Sequence, residues 1–255
     1  DDRATVRASR VSMSRWFVGS SSTSTFGRFQ AISAEVIGVD RNRYVIDPIG
    51  CEGCGVCARF CPPQAIAMET VHNGRWFISQ TRNGPMVHAR LDAGGENSGK
   101  LVTLVRQQAR RLAVERGLGL LLVDGSPGVG CPVIASLSGS DLALIVSEPT
   151  VAGRHDFLRV AKLAEHFSVP ALLCVNKWDL NPPNTAELEA EARSLGIEPL
   201  GRIRYSAAFT RAQRRGVSVL EGGDPGPAED LLAVWRRLAP LVAEDASPQP
   251  QLKVL

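Results

Sequence analysis

Four cysteines stand close together in the chain, and their spacing predicts an iron–sulfur site. The run reads C-x2-C-x2-C-x3-C-P, and its cysteines are Cys51, Cys54, Cys57 and Cys61. This is the spacing of bacterial iron–sulfur ligation, and thiolates are the soft ligands that such clusters require. A zinc ribbon usually divides its cysteines into two separate C-x2-C pairs. One unbroken run therefore favours an iron–sulfur cluster over zinc or a pair of disulfides.

A two-cluster site would need a second run of cysteines, because the fourth cysteine of each run ligates the other cluster. Residues 27–32 (GRFQAI) echo residues 61–66 (CPPQAI), which indicates an internal repeat. The positions in this repeat that correspond to the four cysteines hold other residues, namely Phe17, Ser20, Thr23 and Gly27. We therefore expect at most one [4Fe–4S] cluster, with a rearranged or foreign ligand, or a degenerate site.

Composition describes an ordinary globular chain. Of its 255 residues, 44% are hydrophobic and 22% are charged, which suits one or two domains. A net charge of +3 is too small to indicate binding to nucleic acid, and no apolar run reaches the length of a membrane span. No signal peptide is visible. The chain has six cysteines, four of them in the metal-binding run, and this suits a reducing cytoplasm better than a disulfide scaffold. Because the first residue is aspartate, we expect the chain to start within a longer protein.

The sequence predicts a small cysteine-bearing unit inserted in an α/β protein with a parallel sheet. Residues 1–14 are an uncertain polar segment, and residues 15–90 are predicted to form a ferredoxin-like insert with a β extension. Residues 91–245 alternate apolar strands with helices, a pattern typical of a parallel sheet covered on both faces. Residues 246–255 are a polar tail that we expect to be loose.

Hydrophobic periodicity places the individual elements. Predicted strands cover residues 44–46, 76–79, 85–90, 118–124, 142–147, 171–176 and 199–205, with a hairpin signal at Asn83-Gly84. Predicted helices cover residues 101–115, 156–166, 186–195 and 228–241, and a short helix with a return strand covers 62–67. Ligands of an open parallel sheet bind beyond the carboxyl ends of its strands. The residues that follow these strands are therefore the candidate site.

The predicted strand 118–124 ends in Asp124 and runs into a D-G-S-P-G stretch that contains Gly128. The carboxylate of Asp124 could hold Mg²⁺ and act in catalysis, and the glycines would let backbone N–H groups approach a phosphate. Asp124 and Gly128 are therefore candidate nucleotide-binding residues. The alternative is a plain turn capped by Asp124.

The predicted strand 171–176 runs into the motif N-K-x-D. Its candidate nucleotide-binding residues are Asn176, Lys177 and Asp179, because amide and carboxylate side chains can hydrogen-bond the edge of a purine. The motif would also suit a GTPase. Glu148 follows the strand 142–147, and there a functional role and a solvated turn are equally supported.

Residues 94–101 (GGENSGKL) match part of the pattern of a phosphate-binding loop. They satisfy G-x4-G-K, but Leu101 stands where a Walker A motif has a hydroxyl for Mg²⁺. We expect Asn97 or Ser98 to cap the following helix instead, with no phosphate contact from Lys100. No other phosphate-loop candidate occurs in the sequence.

Together these motifs resemble those of MinD/ParA-type P-loop ATPases that carry an inserted ferredoxin domain. The matching stretches are VIDPIGCEGCGVCARFCP, NGPMVHARL, GENSGKLV, VDGSPGVGCPVIAS, VSEPTVAGRHD and VNKWDLNP. The resemblance implies a P-loop NTPase-like fold for residues 91–245, ATP with Mg²⁺, two [4Fe–4S] clusters and a nucleotide-dependent homodimer. It places Asp124 at the switch II aspartate and Asn176 at the adenine-side asparagine.

The chain departs from this family in two respects. The family's glycine-rich phosphate loop lies upstream of the insert, where this chain has only polar sequence, and the cysteines of the first cluster are replaced. In intact relatives, ATP binding or hydrolysis would be coupled to electron transfer or cluster handling with a redox partner. The alternative function is a non-catalytic electron carrier or interaction module on a degenerate NTPase scaffold.

Overall fold

A computed structural model describes residues 7–18, 37–40, 43–46, 55–92 and 97–243 of the chain. The chain divides into two compact units, residues 1–111 and 112–255. Cys51 and Cys54 of the cysteine run lie outside the described residues, as do three positions of the internal repeat: Ser20, Thr23 and Gly27.

The first unit contains antiparallel strands. They are β1 (Arg7–Val18), β2 (Ile37–Asp40), β3 (Arg43–Ile46), β4 (Ile66–Thr81) and β5 (Gly84–Leu91). Strands β1, β4 and β5 form one sheet in that order, and β2 pairs with β3. The predicted hairpin between β4 and β5 is confirmed, and Gly84 adopts a φ of 124° there, which favours glycine.

The helix predicted for residues 62–67 is wrong, whereas the return strand predicted with it is confirmed. Helix α1 (Val56–Arg59) lies inside the cysteine run, and β4 starts at Ile66 after a turn. The two prolines of that turn, Pro62 and Pro63, have no N–H to donate to a helix. Gln64 then adopts a left-handed φ of 50°, so the chain cannot continue a helix into β4.

The second unit is α/β and is built on a parallel sheet of β6 (Ala143–Ser147), β7 (Ala171–Asn176) and β8 (Glu198–Ile203), in that order. Helix α2 (Gly99–Glu115) contains the division between the units, and most of it lies in the first unit. The helices of the second unit are α3 (Cys131–Leu137), α4 (Val151–His166), α5 (Pro182–Ser194), α6 (Ala207–Arg214) and α7 (Pro225–Ala243). All four longer predicted helices and these three predicted strands are confirmed. In the described part of the chain, no helix has the length and apolar character needed to cross a membrane.

Helices cover both faces of β7. On one face, Leu173 shares a buried cluster with Phe157 of α4 and Leu188 of α5. On the other face, Cys174 shares a cluster with Val234 of α7. A strand buried on both faces must be apolar throughout, which explains why the sequence predicted β7 with the bounds that the structure shows.

The strand predicted for residues 118–124 is wrong. The segment forms neither strand nor helix, and Leu122 is 87% exposed although the run is apolar. A strand needs a hydrogen-bonded neighbour. Among the described strands, β6 pairs with β7 alone, and no strand lies on its other edge. The apolar sequence of residues 118–124 thus favours a strand, but no described strand is available to pair with it.

Candidate functional site

The carboxyl ends of the three parallel strands carry a group of polar residues that we call the carboxyl edge. It consists of Glu148 after β6, residues 176–179 at the end of β7, and residues 204–206 after β8. Parallel strands end on the same side of a sheet, which is where open α/β sheets bind ligands. The structure therefore brings Glu148 and the N-K-x-D residues together.

An ion pair joins the ends of β6 and β7. The Nζ atom of Lys177 lies 2.6 Å from Oε1 of Glu148, and the two side chains are 37% and 41% exposed. At this exposure the pair contributes at most about 1 kcal/mol to stability. Lys177 also adopts a left-handed backbone with φ 55° and ψ 37°, which is uncommon for a residue other than glycine. Such conformations cluster at functional sites, and the ion pair holds the end of the lysine side chain beside Glu148.

Asp179 and Asn176 differ in how much of their hydrogen-bonding capacity is already used. The backbone N–H of Tyr205 donates to Oδ1 of Asp179 at 2.7 Å, which ties the loop after β7 to the segment after β8. No hydrogen bond to the second carboxylate oxygen of Asp179 is made by any described residue, so that oxygen is left for a ligand. Within the described residues, the side-chain amide of Asn176 has no hydrogen-bond partner and is also left for a ligand.

Contacts from residues of α5 and β8 hold the N-K-x-D loop in place. The guanidinium of Arg202 lies 5.4 Å from the ring centre of Trp178 and donates to both oxygens of Glu189, at 2.6 and 2.9 Å. The hydroxyl of Thr185, a fully buried residue, donates to the carbonyl of Trp178 at 2.9 Å. The hydrogen bonds from Arg202 lower the pKa of Glu189, although burial of the carboxylate opposes this shift. The loop is thus organised before any ligand binds.

Asp124 and Gly128 lie in the irregular segment before α3. Asp124 is exposed, and within the described residues it makes no hydrogen bond or ion pair. Gly128 adopts a φ of 86°, a left-handed conformation that favours glycine. No described hydrogen bond or ion pair joins either residue to Asn176, Lys177 or Asp179, so the structure provides no direct link between the two parts of the predicted site.

Ser98 caps helix α2, which begins within the partial phosphate-loop match at residues 94–101. The backbone N–H of Leu101 donates to Oγ of Ser98 at 3.3 Å, so the predicted capping role is confirmed. Leu101 itself is buried, with 5% of its surface exposed. An apolar buried side chain cannot replace the hydroxyl that would contact Mg²⁺.

Half of the cysteine run lies inside the described residues. Cys57 is half-buried in α1, Cys61 is buried, and neither forms a disulfide. Gly55 adopts a φ of 88°, which lets the chain turn sharply just before α1. Free thiols at this spacing fit the donor set of an iron–sulfur cluster. No group of three or more metal-binding residues occurs among the described residues, which exclude Cys51 and Cys54.

Sequence reasoning missed the residues that support the N-K-x-D loop. Thr185, Arg202 and Tyr205 contact the loop from other elements, and Glu189 holds Arg202. Asp179 and Tyr205 are 26 residues apart in the chain. The sequence holds a signal for Tyr205 alone, because it is an aromatic residue at the end of the predicted strand 199–205.

Two further cysteines provide a test of the packing. Cys174 is 1% exposed, and its burial raises the pKa of the thiol to about 11, whereas Cys131 is exposed at the start of α3. Because the thiolate is the reactive form, iodoacetamide should modify Cys131 and leave Cys174 unmodified in the native protein. Peptide mass spectrometry of the wild type and of Cys131→Ser measures this, and in urea both sites should react. Equal native modification of both cysteines would contradict the burial of Cys174.

Comparison with known proteins gives two relatives at the sequence level, and no protein-family model matches the chain. The chain is 35% identical over 142 residues to the uncharacterized protein MJ0578 of Methanocaldococcus jannaschii, which covers 55% of this chain and 49% of that protein. It is 24% identical over 132 residues to the uncharacterized protein MJ0579 of the same organism, which covers 52% and 45%. The chain therefore spans about half the length of the curated relatives that it matches.

Solved structures with a similar backbone include MinD proteins. The cell division ATPase MinD of Pyrococcus furiosus has 15% identity and a TM-score of 0.46, covering 56% of this chain and 59% of its own. The MinD cell division protein of Aquifex aeolicus has 18% identity and a TM-score of 0.48, covering 68% and 71%. The Aquifex aeolicus MinC:MinD complex has 19% identity and a TM-score of 0.46, covering 68% and 69%.

Proposed function

We propose that this chain is a nucleotide-binding protein of the MinD/ParA ATPase type that also carries an iron–sulfur cluster. The observation that supports nucleotide binding is the carboxyl edge. There the amide of Asn176, which no described residue hydrogen-bonds, stands next to Lys177, which Glu148 holds in place. Amide and carboxylate groups can read the edge of a purine. We infer ATP with Mg²⁺ as the ligand, with Asp124 offering a carboxylate to the ion and Gly128 giving a phosphate access to the backbone.

The proposed binding is weak and the hydrolysis slow. The sequence provides no glycine-rich loop whose N–H groups would surround the β- and γ-phosphates, and no signature lysine for them. Enzymes of this type accelerate the reaction mainly by positioning the phosphates and stabilising their charge. Without that loop, the contacts from Asn176 and Asp179 would hold the base while the phosphates stay largely hydrated. The hydrolysis rate should therefore be several orders of magnitude below that of an ATPase that contains such a loop.

Calorimetric titration of Mg–ATP into the chain tests this function. We expect weak but saturable binding, and Asn176→Ala should weaken it about fivefold because one hydrogen bond to the base is lost. Lys100→Ala should leave the affinity unchanged, because Ser98 makes this segment a helix cap. No binding by the folded wild-type chain would refute the proposal. Robust ATP hydrolysis that disappears in Lys100→Ala would instead show that residues 94–101 are a phosphate loop.

The iron–sulfur proposal is supported by the free thiols of Cys57 and Cys61 and by the left-handed turn at Gly55. After anaerobic reconstitution, we expect at most about four iron and four sulfide ions per chain, which is one [4Fe–4S] cluster. Cys57→Ser should lose the visible absorbance of the cluster, whereas Cys131→Ser should keep it. Analysis that gives about eight iron and eight sulfide ions per chain would contradict the loss of the first cluster.

The same cysteine run also favours a second function. A chain that held a cluster but bound no nucleotide would be an electron carrier or an interaction module, and its α/β unit would be a scaffold. The titration described above separates the two functions, because only the first predicts a loss of affinity in Asn176→Ala. For both functions we infer a redox partner protein. The homodimer implied by the family resemblance belongs to the nucleotide-binding function alone.

A further inference from the structure

We propose that Tyr205 is a binding residue whose ring stacks on the purine base of the nucleotide. This inference rests on the nucleotide binding proposed above and adds a contact to it. It assigns Asn176 and Asp179 to the edge of the base and Tyr205 to its face.

The backbone that carries Tyr205 is fixed at three consecutive residues. The guanidinium of Arg204 donates to both carboxylate oxygens of Asp230 at 2.6 and 2.8 Å, and the backbone N–H of Arg204 donates to the same group at 3.0 Å. The N–H of Tyr205 donates to Asp179. The hydroxyl of Ser206 accepts from the backbone of α6 at 3.1 Å and caps that helix. The position of the Tyr205 backbone is thus set by contacts on both sides of it.

The side chain of Tyr205 is exposed although its backbone is fixed. It is 57% exposed, and within the described residues its ring makes no aromatic contact and its hydroxyl no hydrogen bond. Leu180, which directly follows Asp179, is 62% exposed. Two large apolar side chains therefore lie open to solvent next to the hydrogen bond that joins Asp179 to Tyr205. Apolar surface of this kind, held on a rigid backbone, can bind a flat ring without the entropic cost of ordering a loop.

The neighbouring polar groups identify a base as the ring that fits. In the part of the chain that the structure describes, the amide of Asn176 has no hydrogen-bond partner, and Asp179 has one carboxylate oxygen that is not bonded to Tyr205. These groups can hydrogen-bond donors and acceptors on the edge of a purine. A base held by its edge at Asp179 presents its face to the adjacent aromatic residue, and every base has a face on which a ring can stack.

Nuclear magnetic resonance of the full chain with ring-labelled tyrosine tests the contact directly. The chain contains two tyrosines, Tyr205 and Tyr44, and Tyr44 lies in the other unit. We expect Mg–ATP to shift the ring signals of Tyr205 and to leave those of Tyr44 in place, and Tyr205→Phe assigns the signals. Mg–tripolyphosphate has no base and should shift neither tyrosine.

Affinity measurements on variants complete the test. Tyr205→Ala should bind Mg–ATP roughly tenfold more weakly, while Tyr205→Phe should bind it as the wild type does. Trp235→Ala removes an aromatic residue of similar exposure from α7 and should have no effect. If ATP binds to the wild type but Tyr205 neither shifts nor affects affinity, stacking is refuted and nucleotide binding stands. If the folded wild type binds no nucleotide, both proposals are refuted.

Discussion

Replacing Leu173 with alanine should lower the free energy of unfolding of the α/β unit by about 3–5 kcal/mol. The side chain is completely buried in the middle of β7, in contact with helices on the α4 and α5 side of the sheet. Its neighbours Phe157 and Leu188 are themselves buried in separate helices, and interiors packed this densely collapse only partially around a cavity. Urea unfolding followed by circular dichroism measures the loss as a lower midpoint.

Leu122→Ala is the matched control for this substitution. The same leucine-to-alanine change at a site that is 87% exposed should alter stability by less than about 0.5 kcal/mol. Comparable losses at Leu122 and Leu173 would show that residues 118–124 pack as a strand in solution. The sequence prediction for that segment would then be right and the observed exposure wrong.

Glu189→Ala should destabilise the same unit by roughly 2–3 kcal/mol. The carboxylate is buried and accepts two hydrogen bonds from Arg202, so its removal leaves a partly buried guanidinium without its partner. Removal of one member of a buried ion pair costs 3–5 kcal/mol, and the exposure of Arg202, 42% for its side chain, reduces the figure. Because Arg202 also lies over Trp178, the variant should loosen the N-K-x-D loop and weaken nucleotide binding as well.

The pH dependence of stability shows how much of the contribution of Glu189 comes from its charge and how much from the packing of its side chain. Hydrogen bonds from Arg202 lower the pKa of Glu189 below its ordinary value of 4.5. A carboxylate whose pKa is lowered by folding stabilises the protein above that ordinary value, and this contribution is lost as the pH falls through the folded-state pKa. The wild type should therefore lose stability faster than Glu189→Gln below about pH 4.5. Parallel stability curves would contradict a charged, paired Glu189.

The sequence predicted those parts of the fold that depend on local pattern. Strand β7 was predicted with its observed bounds because it is buried on both faces and is therefore uniformly apolar. The segment 118–124 shows the same pattern but not the same structure, since a strand depends on a neighbour that lies elsewhere in the chain. The helix predicted for residues 62–67 was wrong because the prediction did not weigh the two adjacent prolines, Pro62 and Pro63, which have no N–H to donate.

The candidate site was predictable only in its motifs. The sequence indicated Asn176, Lys177 and Asp179, and the structure places them at the carboxyl edge, where the motif suggested. The partners of these residues come from other elements, as in the bonds from Tyr205 to Asp179 and from Arg202 to Glu189. Such long-range contacts leave no local pattern in a single sequence, because folding alone brings the residues together.

Hydrogen exchange with and without Mg–ATP is the most direct test of nucleotide binding at the carboxyl edge. Bound nucleotide should slow amide exchange in residues 147–150, 176–180 and 204–206, and Asn176→Ala should reduce this protection at the same ATP concentration. Unchanged exchange at the carboxyl edge under saturating Mg–ATP, or protection confined to the residues around Lys100, would contradict the proposed site.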